Sequence, residues 1–171
     1  MLKLAGALLL VGAGTLLGWM HAGRLADRPA QIRRLVRMLG QLETEIAYGY
    51  TPLPEALARV GRQPGDPLAD LFREAADRLA KEDAAVSDTW RMVLESVWGR
   101  TAMKSGEKEV MLTLGNTLGA SDREDQIRHL RLAAKQLETL EPEAAEEQRK
   151  YEKMWKSLGL LGGALVAVIL Y

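Results

Sequence analysis

Ser121-Asp-Arg-Glu-Asp-Gln-Ile127 opens a charged helical run that passes without a clear loop into the uncharged stretch Ser157-Leu-Gly-Leu-Leu-Gly-Gly-Ala-Leu-Val-Ala-Val-Ile-Leu-Tyr171. Ser121 with Glu124 three residues on has the pattern of a capping box, so Ser121 is the expected helix cap. Ile127, Leu130, Ala134 and Leu137 then recur at three- and four-residue spacing, which puts them on one helix face and calls for a packing partner. Pro142 interrupts the pattern, because an interior proline removes a hydrogen bond and crowds the preceding turn. A kink is expected there, with a full break as the alternative. The uncharged end spans roughly 22 Å as a helix, short of a bilayer core of about 30 Å. Trp155 and Tyr171 suit the two interfaces, and Lys156 reaches out of the apolar layer, so a transmembrane helix over 156–171 is expected. The competing interpretation is an apolar helix buried in a soluble core.

Working outward, Leu4 to Met20 carries no charge and forms a second candidate span, assigned to 1–20. A cleaved signal peptide competes with it, although Trp19, Met20 and His21 fill the place where small residues would mark cleavage. Arg24, Arg28, Arg33, Arg34 and Arg37 follow the first candidate span, and Arg149, Lys150, Lys153 and Lys156 precede the second. By the positive-inside rule the middle, 21–155, faces the cytoplasm and both termini lie across the membrane.

The whole chain of 171 residues is 47% hydrophobic and 27% charged, with 23 basic and 23 acidic side chains. A net charge of zero offers nucleic acid no electrostatic footprint. The absence of cysteine rules out disulfides, thiolate metal sites and a cysteine nucleophile. Few aromatic and β-branched runs favour an all-α class.

Five shorter helices are expected before the long one, giving an antiparallel bundle of about six. Asp27 and Pro29 start the first, whose stripe is Ile32, Leu35, Val36, Leu39, Leu42 and Ile46, and Gly49 ends it. Pro52 and Pro54 pin a turn before a short helix carrying Leu57 and Val60, closed by Gln63-Pro64-Gly65. Asp66 caps the next, with Leu68, Leu71, Phe72, Ala75 and Leu79 inward. Asp83 is the expected cap of a helix bearing Val86, Trp90, Val93, Leu94 and Val97, and Ser105 that of one bearing Val110, Met111, Leu114 and Leu118.

Chemistry is sparse. His21 and His129 have no second ligand at helical spacing, so no metal residue is nominated. Gly12, Gly14 and Gly18 lie in apolar surroundings without a following basic residue and are not a phosphate loop. Gly14 with Gly18, and Gly159 with Gly163, have the spacing that lets membrane helices approach closely, within one chain or between copies in a homo-oligomer. Glu141, Glu143, Glu146 and Glu147 are expected to form a solvated face. No nucleophile, base and orienting group can be named together, so no catalytic or cofactor-binding residue is assigned and the chain is not expected to be an enzyme.

Three runs carry a resemblance: Glu45-Ile-Ala-Tyr-Gly-Tyr-Thr-Pro-Leu-Pro-Glu-Ala-Leu57, Leu112-Thr-Leu-Gly-Asn-Thr-Leu-Gly-Ala-Ser-Asp-Arg123 and Tyr151-Glu-Lys-Met-Trp-Lys-Ser-Leu-Gly-Leu-Leu-Gly-Gly163. In order and over essentially the whole chain, they resemble the stage III sporulation protein AB family. The resemblance implies a membrane protein of the mother-cell side, in the channel complex that joins mother cell and forespore. It also implies a cytoplasmic domain similar to the F component of type II secretion systems. The implied partners are a secretion-type ATPase, stage III sporulation protein AA, and other membrane proteins of the complex. The family pattern marks Gly49, Thr51, Pro52, Leu53 and Glu55, and Leu114, Gly115, Gly119, Ser121, Asp122 and Arg123. Both runs are helix junctions suited to docking, with Asp122 and Arg123 favoured because neither is expected to serve as a cap. A different class remains open: an extracytoplasmic helical binding module with a cleaved signal and a C-terminal anchor.

Overall fold

Seven-residue repetition sets the frame of the bundle. In the first helix, α1 (27–48), Ile32, Leu35, Leu39, Leu42 and Ile46 are buried at alternating steps of three and four, the spacing that keeps one seam against a partner. The computed structural model describes residues 27–49, 51–81, 84–119 and 121–170, with backbone only for 152 and 155–170. Among these, α1 is followed by α2 (Leu53–Val60), α3 (Pro67–Lys81), α4 (Val86–Trp98), α5 (Ser105–Gly115) and α6 (Arg123–Leu170), with no strand.

Each of α2 to α5 packs against the helix that follows it, ending with α5 on α6, as short connections in a helical bundle dictate. Of the expected inward residues of α3 and α4, Leu68, Leu71, Phe72, Ala75, Trp90, Val93, Leu94 and Val97 are buried, while Leu79 and Val86 are partly covered. The Trp90 ring meets Phe72 edge-on at 5.7 Å, and its Nε1–H donates to the Met111 carbonyl at 2.8 Å. Along α6 the buried residues are Leu130, Ala133, Leu137 and Ala144, while Ile127 and Ala134 are partly covered.

Helix starts follow the expected chemistry in one case and depart from it in others. Asp66 caps α3, its Oδ1 accepting the Leu68 N–H at 3.2 Å. Its other oxygen lies 2.8 Å from Arg34 Nε, a close ion pair without hydrogen-bond alignment. Ser105 is the first residue of α5 rather than its cap; the start is secured by Glu107, whose Oε2 accepts the Lys104 N–H at 2.9 Å. Ala85 precedes α4, and Asp83 lies outside the described residues.

The helix α6 continues through Pro142 to Leu170, so the break does not occur. Pro142 is solvent-exposed, where water can take the carbonyl that a proline leaves unpaired. Among the described residues no helix is long and apolar enough to cross a membrane. The first apolar segment, with Gly14 and Gly18, lies outside the described residues, and Gly159 and Gly163 fall in the part of α6 described by its backbone.

Candidate functional site

The two junctions marked by the family pattern lie at one end of the bundle, although about 70 residues separate them in sequence. At the first, the Gly49 N–H donates to the Glu45 carbonyl at 3.0 Å. A Cβ on Gly49 would lie 2.6 Å from that oxygen and 2.6 Å from Thr51 Oγ1, so only glycine lets the chain turn this tightly. Thr51 Oγ1–H donates to Glu45 Oε2 at 3.2 Å, and Arg59 bridges Glu45 and Glu55 at 2.7 Å each. Pro52 is exposed and Leu53 half-buried.

At the second junction the structure corrects the expected cap. The Ser121 hydroxyl donates to the Thr117 carbonyl at 2.9 Å, whereas Asp122 Oδ1 accepts the Asp125 N–H at 2.8 Å and therefore caps α6. A carboxylate also suits the positive end of a helix better than a hydroxyl. Arg123 is likewise committed, its Nε–H donating 2.8 Å to the Ile46 carbonyl, one of the groups that the end of α1 leaves without a helical partner. That bond joins the two junctions. Between them lies a depression of about 260 Å³ lined by Ile46, Thr51, Leu53, Arg123 and Gln126. Beside it Tyr48 is 82% exposed, a large aromatic ring left in water.

The glycines of this junction are placed differently. Gly115 is buried, and a Cβ there would lie 2.1 Å from Trp90 Cδ1, so it is needed for the core and offers no surface. Gly119 is exposed and holds φ +77, a left-handed conformation that ends the helical stretch before Ser121.

The opposite end holds a group that sequence reasoning missed. Arg28, 3% exposed, donates from Nε and Nη2 to Glu107 Oε1 at 2.9 and 2.6 Å, and from Nη1 to Glu147 Oε2 at 2.6 Å. Glu107 is fully buried. Lys104 Nζ reaches both Glu147 oxygens at 2.7 Å, and the Lys104 ammonium, with Arg28 behind it, holds the Glu147 carboxyl below the usual carboxylate range. Gln31 accepts the Ala102 N–H at 2.8 Å and ties the same loop to α1. The acidic run on α6 is thus not uniformly solvated: Glu141 pairs with Arg33 at 2.5 Å and Glu147 enters the clamp, while Glu143 and Glu146 stay exposed. A signal was available, because Arg28 falls four residues before Ile32 on the same stripe of α1.

Among the described residues no three His, Cys, Asp or Glu side chains gather as metal ligands. The buried charges are matched to partners of opposite charge. The arrangement is suited to holding helices and presenting a surface.

Known proteins share this architecture. The family model for stage III sporulation protein AB matches residues 3–171. The stage III sporulation protein AB of Bacillus subtilis (strain 168) is 41% identical over 170 residues, covering 99% of both chains. A solved structure of a stage III sporulation protein AB, 38% identical, superposes with a TM-score of 0.67 and covers 72% of this chain and 98% of its own. With its three motifs, its helical bundle and its full-length match, the chain belongs to the stage III sporulation protein AB family.

Proposed function

We propose that the protein is a non-enzymatic membrane platform of the channel complex between mother cell and forespore, and that its junction end docks a secretion-type ATPase, stage III sporulation protein AA. Family membership supports the sporulation role. The observation that carries the docking role is the meeting of the two junctions through the Arg123 bond to Ile46, with the exposed ring of Tyr48 at their edge. A helix 48 residues long, with a rise of about 72 Å, starts at that surface and takes in the apolar C-terminal stretch. At the clamp end α1 begins beside Glu147 of α6, and α6 runs on past that point to its C-terminal stretch. The surface that meets the ATPase therefore faces away from the bilayer, in the cytoplasm.

Full-length protein extracted in mild detergent is expected to retain the ATPase on affinity resin. Tyr48→Asp should lower that retention without lowering thermal stability, because the side chain is in water already. No retention under reconstituted conditions refutes docking, and retention indifferent to Tyr48→Asp and Leu53→Asp refutes this surface. Gln63→Cys, in a chain without native cysteine, tests the cytoplasmic assignment. A membrane-impermeant thiol reagent should label it only after permeabilisation.

A further inference from the structure

The last turns of α1 form a ridge with a hollow on either side. Consecutive helix residues are turned by about 100°, so Ile46 lines the depression already described while Glu45, just before it, lines a larger basin on the side of α2. That basin holds about 410 Å³. Gln41, Thr44 and Glu45 of α1 form one wall, Arg59 and Arg62 at and just past the end of α2 form the other, and the buried Val60 lies between. Thr44, Glu45 and Tyr48 follow Gln41 by three, four and seven residues and so share one face of α1. The 82% exposed ring of Tyr48 therefore continues the wall of the basin.

The charges of the basin are unevenly spent. Arg59 Nη1 and Nη2 donate at 2.7 Å to Glu45 and Glu55, which fixes that wall in place, and Glu45 Oε2 also accepts the Thr51 hydroxyl. The Thr44 hydroxyl donates to the Gly40 carbonyl at 2.9 Å. Arg62, three residues beyond Arg59, is exposed and enters no hydrogen bond or ion pair among the described residues, and the same holds for the Gln41 amide on the opposite wall. Two unspent donors thus face a basin whose other polar groups are already matched. A guanidinium fits a carboxylate with two parallel N–H donors, a geometry that an ammonium cannot reproduce. Arginine and tyrosine are also the side chains that most often dominate the energy of an interface, above all where the surrounding wall is held before binding. We infer that the docked ATPase presents an acidic side chain to this basin, its carboxylate held by Arg62 and the surface around it packed on the Tyr48 ring. The contact surface then extends from the junction depression over the end of α1 to α2. The inference rests on the docking reading above and adds the chemistry by which the partner is recognised.

Titration of the full-length chain in mild detergent with stage III sporulation protein AA, at low and at high salt, tests it. Arg62→Glu should weaken binding about thirtyfold, the loss typical of a central interface residue. The loss should shrink as salt screens the pair, and Arg62→Lys, which keeps the charge without the fork, should lose less. Gln41→Glu sets a carboxylate on the opposite wall and should weaken binding as well. Arg37→Glu, on α1 but outside the basin, reverses another exposed cation and should leave affinity within about twofold of the parent. Arg62, Gln41 and Arg37 have no side-chain bond to lose among the described residues, so thermal midpoints should stay close to that of the parent. A parent chain that binds, with Arg62→Glu and Gln41→Glu binding equally well, overturns this contact and leaves the docking reading standing; a parent chain that does not bind overturns both. Equal weakening by Arg37→Glu shows attraction by charge at large and overturns the contact. So does an oligomer of the chain alone that Arg62→Glu dissociates while binding of the ATPase is unchanged, because a second copy then fills the basin.

Discussion

Arg28→Met is the sharpest perturbation available. The substitution keeps the length and apolar stem of the side chain but removes the charge that pairs with Glu107, which is fully buried. An isolated buried carboxylate is left, and breaking such a pair from one side costs about 3–5 kcal/mol. For a chain of this size, where each kcal/mol moves the midpoint by about 2–4 °C, the loss is on the order of 10 °C in Tm. Arg28→Met with Glu107→Leu removes both charges. It should recover most of that loss, since an apolar replacement of a whole buried pair is often neutral. It still gives up the Lys104 N–H bond at the start of α5, worth about 1 kcal/mol. Far-UV circular dichroism during denaturation of the full-length chain in mild detergent gives all four corners of the cycle. A coupling of about 2–3 kcal/mol between the two sites is expected. A loss below about 1 kcal/mol for Arg28→Met, or single losses that simply add, would refute the view that this pair holds the clamp.

Asp122→Ala should destabilise α6 by about 1 kcal/mol as its cap is lost, with a smaller effect for Ser121→Ala and partial rescue by Asp122→Asn; a larger loss at Ser121 would restore the hydroxyl as the cap. The carboxyl of Glu147 has its pKa lowered in the fold, chiefly by the Lys104 ammonium, so its contribution to stability is complete above the ordinary value of 4.5 and is lost as pH falls through the lowered one. Glu147→Gln should therefore weaken the protein at neutral pH and reduce the steepness of its acid unfolding, and an acid limb identical to that of the parent chain would contradict this.

The helices were legible because their information is local. Ile32 through Ile46 and Leu68 through Ala75 repeat at helical spacing, and Pro67 and Gly49 mark ends with rules that act over one turn. The clamp was not legible. Glu107 and Glu147 lie 79 and 119 residues from Arg28 in sequence, and nothing local distinguishes Glu147 from the solvated Glu146 beside it. The choice between Ser121 and Asp122 as cap was settled by where the helix begins, a matter of one residue that sequence patterns resolve poorly. Gly115 illustrates a further limit: its position in a motif suggested surface, and the need for it comes from the Trp90 ring packed on it from another helix.

The unbroken course of α6 through Pro142 imposes a discipline on length. Adding or removing one residue between Ala144 and Tyr151 would turn everything beyond it by about 100° and shift it about 1.5 Å, swinging Tyr151 off the line that Leu130, Leu137 and Ala144 define. A loop would absorb such a change, and a helix transmits it whole. Insertion of seven residues would restore the facing but slide the tail by about 10 Å past whatever lies beside it. The distance and the angle between the Asp122 cap and the C-terminal stretch are thus encoded in residue count, much as the teeth of a gear fix its phase.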